Sequence, residues 1–331
     1  MEIAKAVVLA GDCPGAETWP RLGGPAARQL APVANRPVLF HHLDALARAG
    51  VREAAVVTDA TTRASIREAL RDGSSWGLAL THVEHDGNPN VLASSPVADF
   101  VDSDPVLVQH GDVLVRERLS ALQDDFTGHG LDVLILSPAC GQAGDAGGPA
   151  GYIIGPDIHL PMRREAAALD DVLQRLRAEG ARIGVRAVHA CMPCRGGADA
   201  LLEANRWILE QLPLDHRSAG ERVFASKIQG PVALHPSAEI RSSVVRGPVA
   251  IGPGARIVNA YVGPYTSIGA GVEIDGAEIE YSIVLDRAQI RFLDTRVEGS
   301  LIGHGARVSR EFQTPRALRL TVGEGAQISF G

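Results

Sequence analysis

The chain is predicted to be α/β over its first two-thirds, with a mainly parallel sheet, and a β-solenoid over its last third. Up to about residue 212, short apolar runs alternate with amphipathic helical patterns, as in a parallel sheet covered on both faces. From about Pro231 helical periodicity vanishes and six-residue units take over, each led by an aliphatic residue and Gly. The length, 331 residues with 45% hydrophobic content, suits two domains with ample core. We therefore expect an α/β domain over 1–212, a polar connection over 213–230 and a solenoid domain over 231–331.

The elements follow in order. Ala4 to Leu9 reads as a buried strand, followed by a turn-rich stretch to Gln29. A helix is expected from Pro37 to Ala49, with Asn35 as its cap, Pro37 in the first turn and Gly50 at the left-handed exit. Leu39, Leu43, Leu46 and Ala47 form its apolar face. Strands are expected over Ala54–Val57, Leu78–Val83, Pro105–Gln109, Asp132–Leu136, Tyr152–Ile154 and Ala181–Val188. Helices are expected over Arg63–Leu70, Leu169–Glu179 with Gly180 closing it, and Ala198–Leu212. Ligands in such sheets bind beyond the carboxyl ends of the strands, which directs attention to His110-Gly111-Asp112.

The solenoid units begin at Ile251, Val262, Ile268, Ile302 and Val322, each followed by Gly, with further aliphatics six residues on at Ile257, Ile274, Val308 and Ile328. One inward residue in six, with Gly at tight corners, describes a triangular coil that stacks its aliphatics along an axis. A Gly-rich sandwich would instead show period 2. The pattern resembles the left-handed β-helix of the hexapeptide proteins, and the resemblance supplies the handedness.

Composition excludes several classes. The net charge of −7, without a basic stripe, argues against a nucleic-acid partner. No apolar run approaches the ~20 residues of a membrane span, so no membrane partner is expected. Met1 to Lys5 lacks the regions of a secretory leader, and four cysteines are too few for a disulfide scaffold. A cytoplasmic protein with reduced thiols is expected. Lys5 and Lys227 are the only lysines.

Ala6 to Gly11, then Gln29 to Val38, His110-Gly111-Asp112, Leu201 to Arg206, Gly263 to Gly269 and Ser282 to Leu285 together resemble the sugar-1-phosphate nucleotidyltransferases. The long actinobacterial form of glucose-1-phosphate thymidylyltransferase, with a C-terminal left-handed β-helix, is the nearest pattern. The resemblance implies a Rossmann-like nucleotidyltransferase domain and a reaction joining a nucleoside triphosphate to a sugar 1-phosphate with release of pyrophosphate. Such chemistry needs cations around the triphosphate, a divalent metal held by carboxylates, and backbone N–H groups near the phosphates.

The segments that the family uses for this chemistry are altered. Its glycine-rich loop corresponds here to Gly11 through Pro20, and aligning Gly15 with Pro20 places Glu17 at the family's arginine position. Asp12 adds a carboxylate, and Pro14 removes an N–H donor. A unit-charge pair at ~4 Å is worth roughly 4 kcal/mol at an effective dielectric of 20, so reversing a sign beside a triphosphate is costly. The family's lysine is Arg28, and the two cations are not interchangeable at a phosphate. Asp112 matches the first metal carboxylate, whereas the second falls on Cys194. A thiol is a poor ligand for hard Mg²⁺. The sugar-phosphate lysine is missing from Ser137 to Ala150, and the nucleobase loop carries His85 before Asp86 where the family has Gln before Asp.

Each residue also has a plainer reading. Asp112 either caps a turn or contacts a ligand or metal. Glu17 and Asp12 read as solvated loop carboxylates, and Arg28 either contacts an anion or covers the loop. Gly11, Gly15, Arg28, His85 and Asp112 are the ligand-binding candidates. Cys191 and Cys194 have CxxC spacing, weak by itself; with Cys13 and Cys140 they outline a possible soft-metal or redox cluster, against the default of buried apolar thiols. His41 and His42 are adjacent and diverge around a helix, so they should not share a metal. Trp19, Trp76 and Trp207 read as packing.

Three functions follow as expectations. The first is a nucleotidyltransferase-like protein without pyrophosphorylase activity, to which no cofactor is assigned. It would act as a binding, scaffold or regulatory subunit, as a homo-oligomer or beside an active paralogue, with nucleotide, sugar phosphate or nucleotide sugar as ligand. The second is an active, Mg²⁺-dependent transferase in which Arg28 and Asp112 carry phosphate and metal, and Arg21 or Arg195 replaces missing cations. The third is a new thiol- or metal-dependent activity in the crevice.

Overall fold

The computed structural model describes residues 3–11, 27–85, 90–139, 148–158, 167–191, 197–212 and 222–310. The N-terminal part is built from β1 (Lys5–Leu9), α1 (Val38–Arg48), β2 (Glu53–Thr58), α2 (Arg63–Leu70), β3 (Ala79–Glu84), α3 (Ser95–Val101), β4 (Val106–His110), α4 (Leu119–Gly128), β5 (Val133–Pro138), β6 (Gly151–Ile154), α5 (Leu169–Ala178), β7 (Ile183–Val188) and α6 (Gly197–Leu209). The seven strands form one sheet in the order β7-β5-β6-β4-β1-β2-β3. All neighbours are parallel except β6, which runs antiparallel to both β4 and β5.

Both sheet faces are covered. Ala6 and Val8 of β1 point into a cluster with Leu39, Leu43 and Leu46 of α1, while Val7 joins a second cluster with Val97, Val101 and Leu176 on the opposite face. This is the two-sided burial that continuous apolar strands require. Among the described residues, no helix is long and apolar enough to cross a membrane.

Two helices escaped the sequence reading. Ser95–Val101 is short and sits among Asn, Ser and Pro, and Leu119–Gly128 buries only Leu122 and Phe126. Neither has enough apolar residues to display a period. Asn35 is not the cap of α1: the helix begins at Val38 behind Pro37 with no side-chain cap bond. Instead Ala34 and Asn35, both at positive φ, form the tip of a small hairpin between Pro32–Val33 and Arg36–Pro37.

The last third winds into a left-handed β-helix of three parallel faces. The first face stacks Val223–Phe224, Glu239–Arg241, Arg256–Val258, Glu273–Asp275, Gln289–Arg291 and Arg307–Ser309. The second stacks Lys227–Gln229, Val244–Arg246, Tyr261–Val262, Glu278–Glu280 and Val297–Glu298. The third stacks Val232–Leu234, Val249–Ile251, Thr266–Ile268, Ile283–Val284 and Leu301–Ile302. Stacking begins at Val223, within the stretch 213–230 expected to be connecting chain, because Val223 already pairs with Ile240.

Ile240 pairs with Ile257 and Ile257 with Ile274, so one coil takes 17 residues rather than three full hexads. The next partners, Ile290 and Val308, follow after 16 and 18. These aliphatics fill the axis, together with Val245, Val262 and Ile279 from the second face and Ile251 and Ile268 from the third. Val308 is only partly buried, and Val322 and Ile328 lie outside the described residues. Gly252 shows why a glycine follows the leading aliphatic: a Cβ there would lie 2.9 Å from the backbone carbon of Gly269 in the next coil.

Helix α6 joins the two parts. Leu201, Leu202 and Trp207 pack with Val33 and Val38 on one side and with Ile283 and Leu285 of the β-helix on the other.

Candidate ligand crevice

At the carboxyl ends of β1, β2 and β4 the chain assembles a crowded polar corner. The backbone N–H of Gly111 donates to Leu9 O at 2.8 Å, holding the turn after β4 against the end of β1. Gly111 has no room for a side chain, since a Cβ would come within 2.9 Å of Leu39 Cδ1 and 3.2 Å of Val8 Cγ1. Asp112 follows directly and is wholly buried.

Gln29 lies in the short turn Arg28–Leu30 and is 1% exposed. Its Nε2 donates to Gly11 O at 2.7 Å. Its buried Oε1 has no hydrogen-bond partner among the described residues. Arg28 opens the same turn, half-buried. Asp59, at the end of β2, accepts at Oδ1 from the N–H and hydroxyl groups of Thr61 and Thr62, at 2.6 to 3.1 Å. Its other oxygen crowds Gly11, where a Cβ would lie 3.0 Å from it. A side chain at Gly11 would press on that carboxylate, so crowding rather than an unusual φ favours glycine there.

Of the candidates read from sequence, the structure brings Gly11 and Asp112 to the ends of adjacent strands, β1 and β4, and ties Arg28 to them through its neighbour Gln29. His85 sits at the exposed end of β3, its N–H donating to Thr58 O at 2.8 Å. Three strand positions, about 14 Å, separate it from β4. Gly15, Glu17, Cys13, Cys140 and Cys194 lie outside the described residues, as do Asp12, Arg21 and Arg195. Cys191 ends a two-residue strand that pairs antiparallel with Leu114–Val115, Cys191 opposite Leu114. The backbone of the CxxC stretch therefore starts beside the segment that follows Asp112.

Sequence reading passed over Asp59 and did not single out Gln29. The signal for Asp59 was present: a strand ending in Asp-x-Thr-Thr ahead of a helix is a capping pattern. Gln29 gives no such signal, because its role depends on a carbonyl 18 residues away.

The histidine pair behaves as its spacing implies. The His41 ring N–H donates to Val33 O at 2.8 Å, while His42 Nδ1 lies 3.2 Å from Val113 O on the opposite side. Burial lowers both pKa values, that of His42 to about 4, against a smaller opposing effect of its carbonyl partner. Trp76 packs edge-on against Phe40, and Trp207 lies under the Arg116 guanidinium, so both serve packing.

Asp112 is enclosed, and among the described residues no group of three His, Cys, Asp or Glu side chains could hold a metal ion; Cys194, expected from the sequence to fall at the second carboxylate position, lies outside them. Hard divalent ions need several oxygen donors with room for water.

Comparisons with known proteins place this corner in context. Residues 5–142 match the nucleotidyl transferase family. A glucose-1-phosphate thymidylyltransferase from Streptomyces griseus is 31% identical, with 98% of this chain and 99% of the relative covered. The protein of the same name from Streptomyces antibioticus is 28% identical over the same shares. The low-salt glycan biosynthesis nucleotidyltransferase Agl11 of Haloferax volcanii is 31% identical over 91% of this chain and 93% of its own length. In fold, the chain is similar to a Bacillus anthracis protein described as a glucose-1-phosphate thymidylyltransferase and crystallised with a sucrose. The TM-score is 0.51 at 16% identity, covering 64% of this chain and 98% of that one. End-to-end identity with named thymidylyltransferases, through both the sheet and the coils, shows that the chain belongs to the glucose-1-phosphate thymidylyltransferase family of nucleotidyl transferases.

Proposed function

We propose that this chain keeps the family's scaffold but not its pyrophosphorylase turnover, and serves as a binding, scaffold or regulatory subunit in sugar-nucleotide metabolism. One observation carries the reading: the pair of carboxylates that should hold the metal is reduced to an enclosed Asp112 and a thiol, Cys194. Glu17 in place of an arginine, and Arg28 in place of a lysine, weaken the triphosphate subsite in the same direction. Gly11, Gly15, Arg28 and the Asp112 turn are what remains to meet a nucleotide, a sugar phosphate or a nucleotide sugar, with His85 at the margin. A division into an α/β part and a β-helix part that begins by Val223, the cytoplasmic setting and a homo-oligomer or a complex with an active paralogue belong to the same proposal.

A second reading, an active transferase with altered cation handling, is favoured by the full-length similarity to named thymidylyltransferases and by the Gln29–Gly11 hydrogen bond at the strand ends. One assay separates the two. Purified full-length protein is incubated with each nucleoside triphosphate, Mg²⁺ and a panel of sugar 1-phosphates, and pyrophosphate is measured. We expect none above a heat-killed control, while calorimetry with nucleotides and nucleotide sugars registers binding. Pyrophosphate release at micromolar protein overturns the proposal in favour of the second reading. Stoichiometric zinc in untagged protein would favour thiol chemistry through Cys13, Cys140, Cys191 and Cys194.

A further inference from the structure

Two side-chain amides six positions apart pin one short stretch of chain at its two ends. At the crevice end, Gln29 Nε2 donates to Gly11 O at 2.7 Å. At the other end, Asn35 Nδ2 donates to Ile268 O, on the third face of the β-helix, at 2.8 Å. The residues between leave little slack. The Ala31 N–H closes the turn on Arg28 O at 2.8 Å, the Val38 N–H donates to Ala31 O at 2.9 Å, and Pro32–Val33 pairs with Arg36–Pro37. Leu30, Ala31 and Val33 are buried, the last two within the cluster that α6 shares with Ile283 and Leu285.

The tip of this hairpin is held against its own preference. Ala34 and Asn35 take φ of +48° and +63°. Asparagine tolerates that region, whereas alanine enters it at a cost. Such a conformation persists only where its surroundings fix it. Here the Ala34 N–H donates to Asn205 Oδ1 at 2.9 Å, and Asn205 is itself bound to Tyr265 O and to the Ser267 hydroxyl. Both clamps on the tip, Asn205 and Ile268 O, therefore lead to the same coil segment, 265–268.

We propose that Asn35 is a positioning residue: by fixing the hairpin to the third face of the β-helix, it sets where the Arg28–Gln29 turn stands relative to Gly11 and Asp112. The β-helix then acts on the crevice from a distance, through one taut length of backbone. With the tip released, Ala34 can leave its left-handed conformation, and the turn keeps only its inner anchor at Gly11. A ligand that meets Arg28 must then order the turn as it binds, which lowers affinity. The effect on ligands rests on the binding reading proposed above; the effect on the backbone does not.

Asn35→Asp isolates the contact, because aspartate accepts the same φ but has no side-chain N–H to donate. Asn35→Gly keeps the φ and removes the side chain altogether. The first test is hydrogen exchange of the full chain, read by mass spectrometry. In both variants the amides of residues 28–34 should exchange about tenfold faster than in the parent, as one lost hydrogen bond eases local opening. Those of β2 and of the coils over 240–262 should keep the parent rates. The second test is calorimetry with dTTP, whose Kd should rise about fivefold or more in Asn35→Asp. Ile257→Val thins the coil core away from the bridge, so it should lower the urea midpoint and leave that Kd unchanged. Parent rates over 28–34 in Asn35→Asp, acceleration spread evenly over the molecule, or a dTTP Kd that does not move would each overturn the inference. A parent chain that binds no dTTP tells against the binding reading, and exchange over 28–34 then decides this inference by itself.

Discussion

Asn205 shows how much one buried amide can organise. Its Oδ1 accepts the N–H of Ala34 at 2.9 Å and the hydroxyl of Ser267, and its Nδ2 donates to Tyr265 O at 2.9 Å. It is fully buried, so each partner depends on it for satisfaction. Asn205→Ala would strand three polar groups, and we expect a loss of roughly 2–4 kcal/mol, read as a lowered melting temperature or urea midpoint. An unchanged midpoint would show that water fills the gap. His42 makes a pH-dependent contribution. Its folded pKa, about 4, lies below the unfolded value near 6.5, so the unfolded state takes up the proton first. Stability attributable to His42 is therefore full above about pH 6.5 and falls toward pH 4, by about 3 kcal/mol in all. His42→Gln should flatten that part of the pH–stability curve measured in urea. Asn205 was visible in sequence only as part of Leu201 to Arg206. Its partners come from the far side of the chain, and no local pattern announces them.

At the scale of the element, legibility tracked periodicity. β1, α1, α2 and the stacked aliphatics at Ile251, Ile257, Ile268 and Ile274 were readable because a repeating apolar position marks each one. α3 and α4, with few buried residues, were not. Nor was the 17-residue coil, because counting hexads from local units does not reveal one short corner per turn. Of the crevice candidates, Gly11 and Asp112 could be placed at strand ends from the sequence, because each follows a buried apolar run. Close approach at the coil glycine has a measurable cost. Gly252→Ala would drive a methyl against the Gly269 backbone, which cannot rotate away as a side chain could. We expect a cost of roughly 1–3 kcal/mol in chemical denaturation, with far-UV circular dichroism otherwise unchanged. Gly111→Ala meets only the tip of Leu39 and the Val8 methyl, so its cost should lie toward the lower end of that range.

For the whole molecule, the seam along α6 is the decisive feature. Val33, Val38, Leu201, Leu202 and Trp207 share one apolar cluster with Ile283 and Leu285, so removing the β-helix takes away part of their cover. A fragment ending at residue 212 should therefore bind a hydrophobic dye and melt below the full chain; a fragment that melts at the parent temperature without binding dye would show that the seam contributes little. The seam also imposes an order of events. Asn35 Nδ2 donates to Ile268 O at 2.8 Å, across 233 positions of sequence. During synthesis the segment bearing Arg28 and Gln29 leaves the ribosome early, yet its final anchor exists only once the later coils have emerged. Such distant closure is slow. The nascent crevice must wait, unfinished, for most of the polypeptide to follow, and it is there that a chaperone would have the longest time to act.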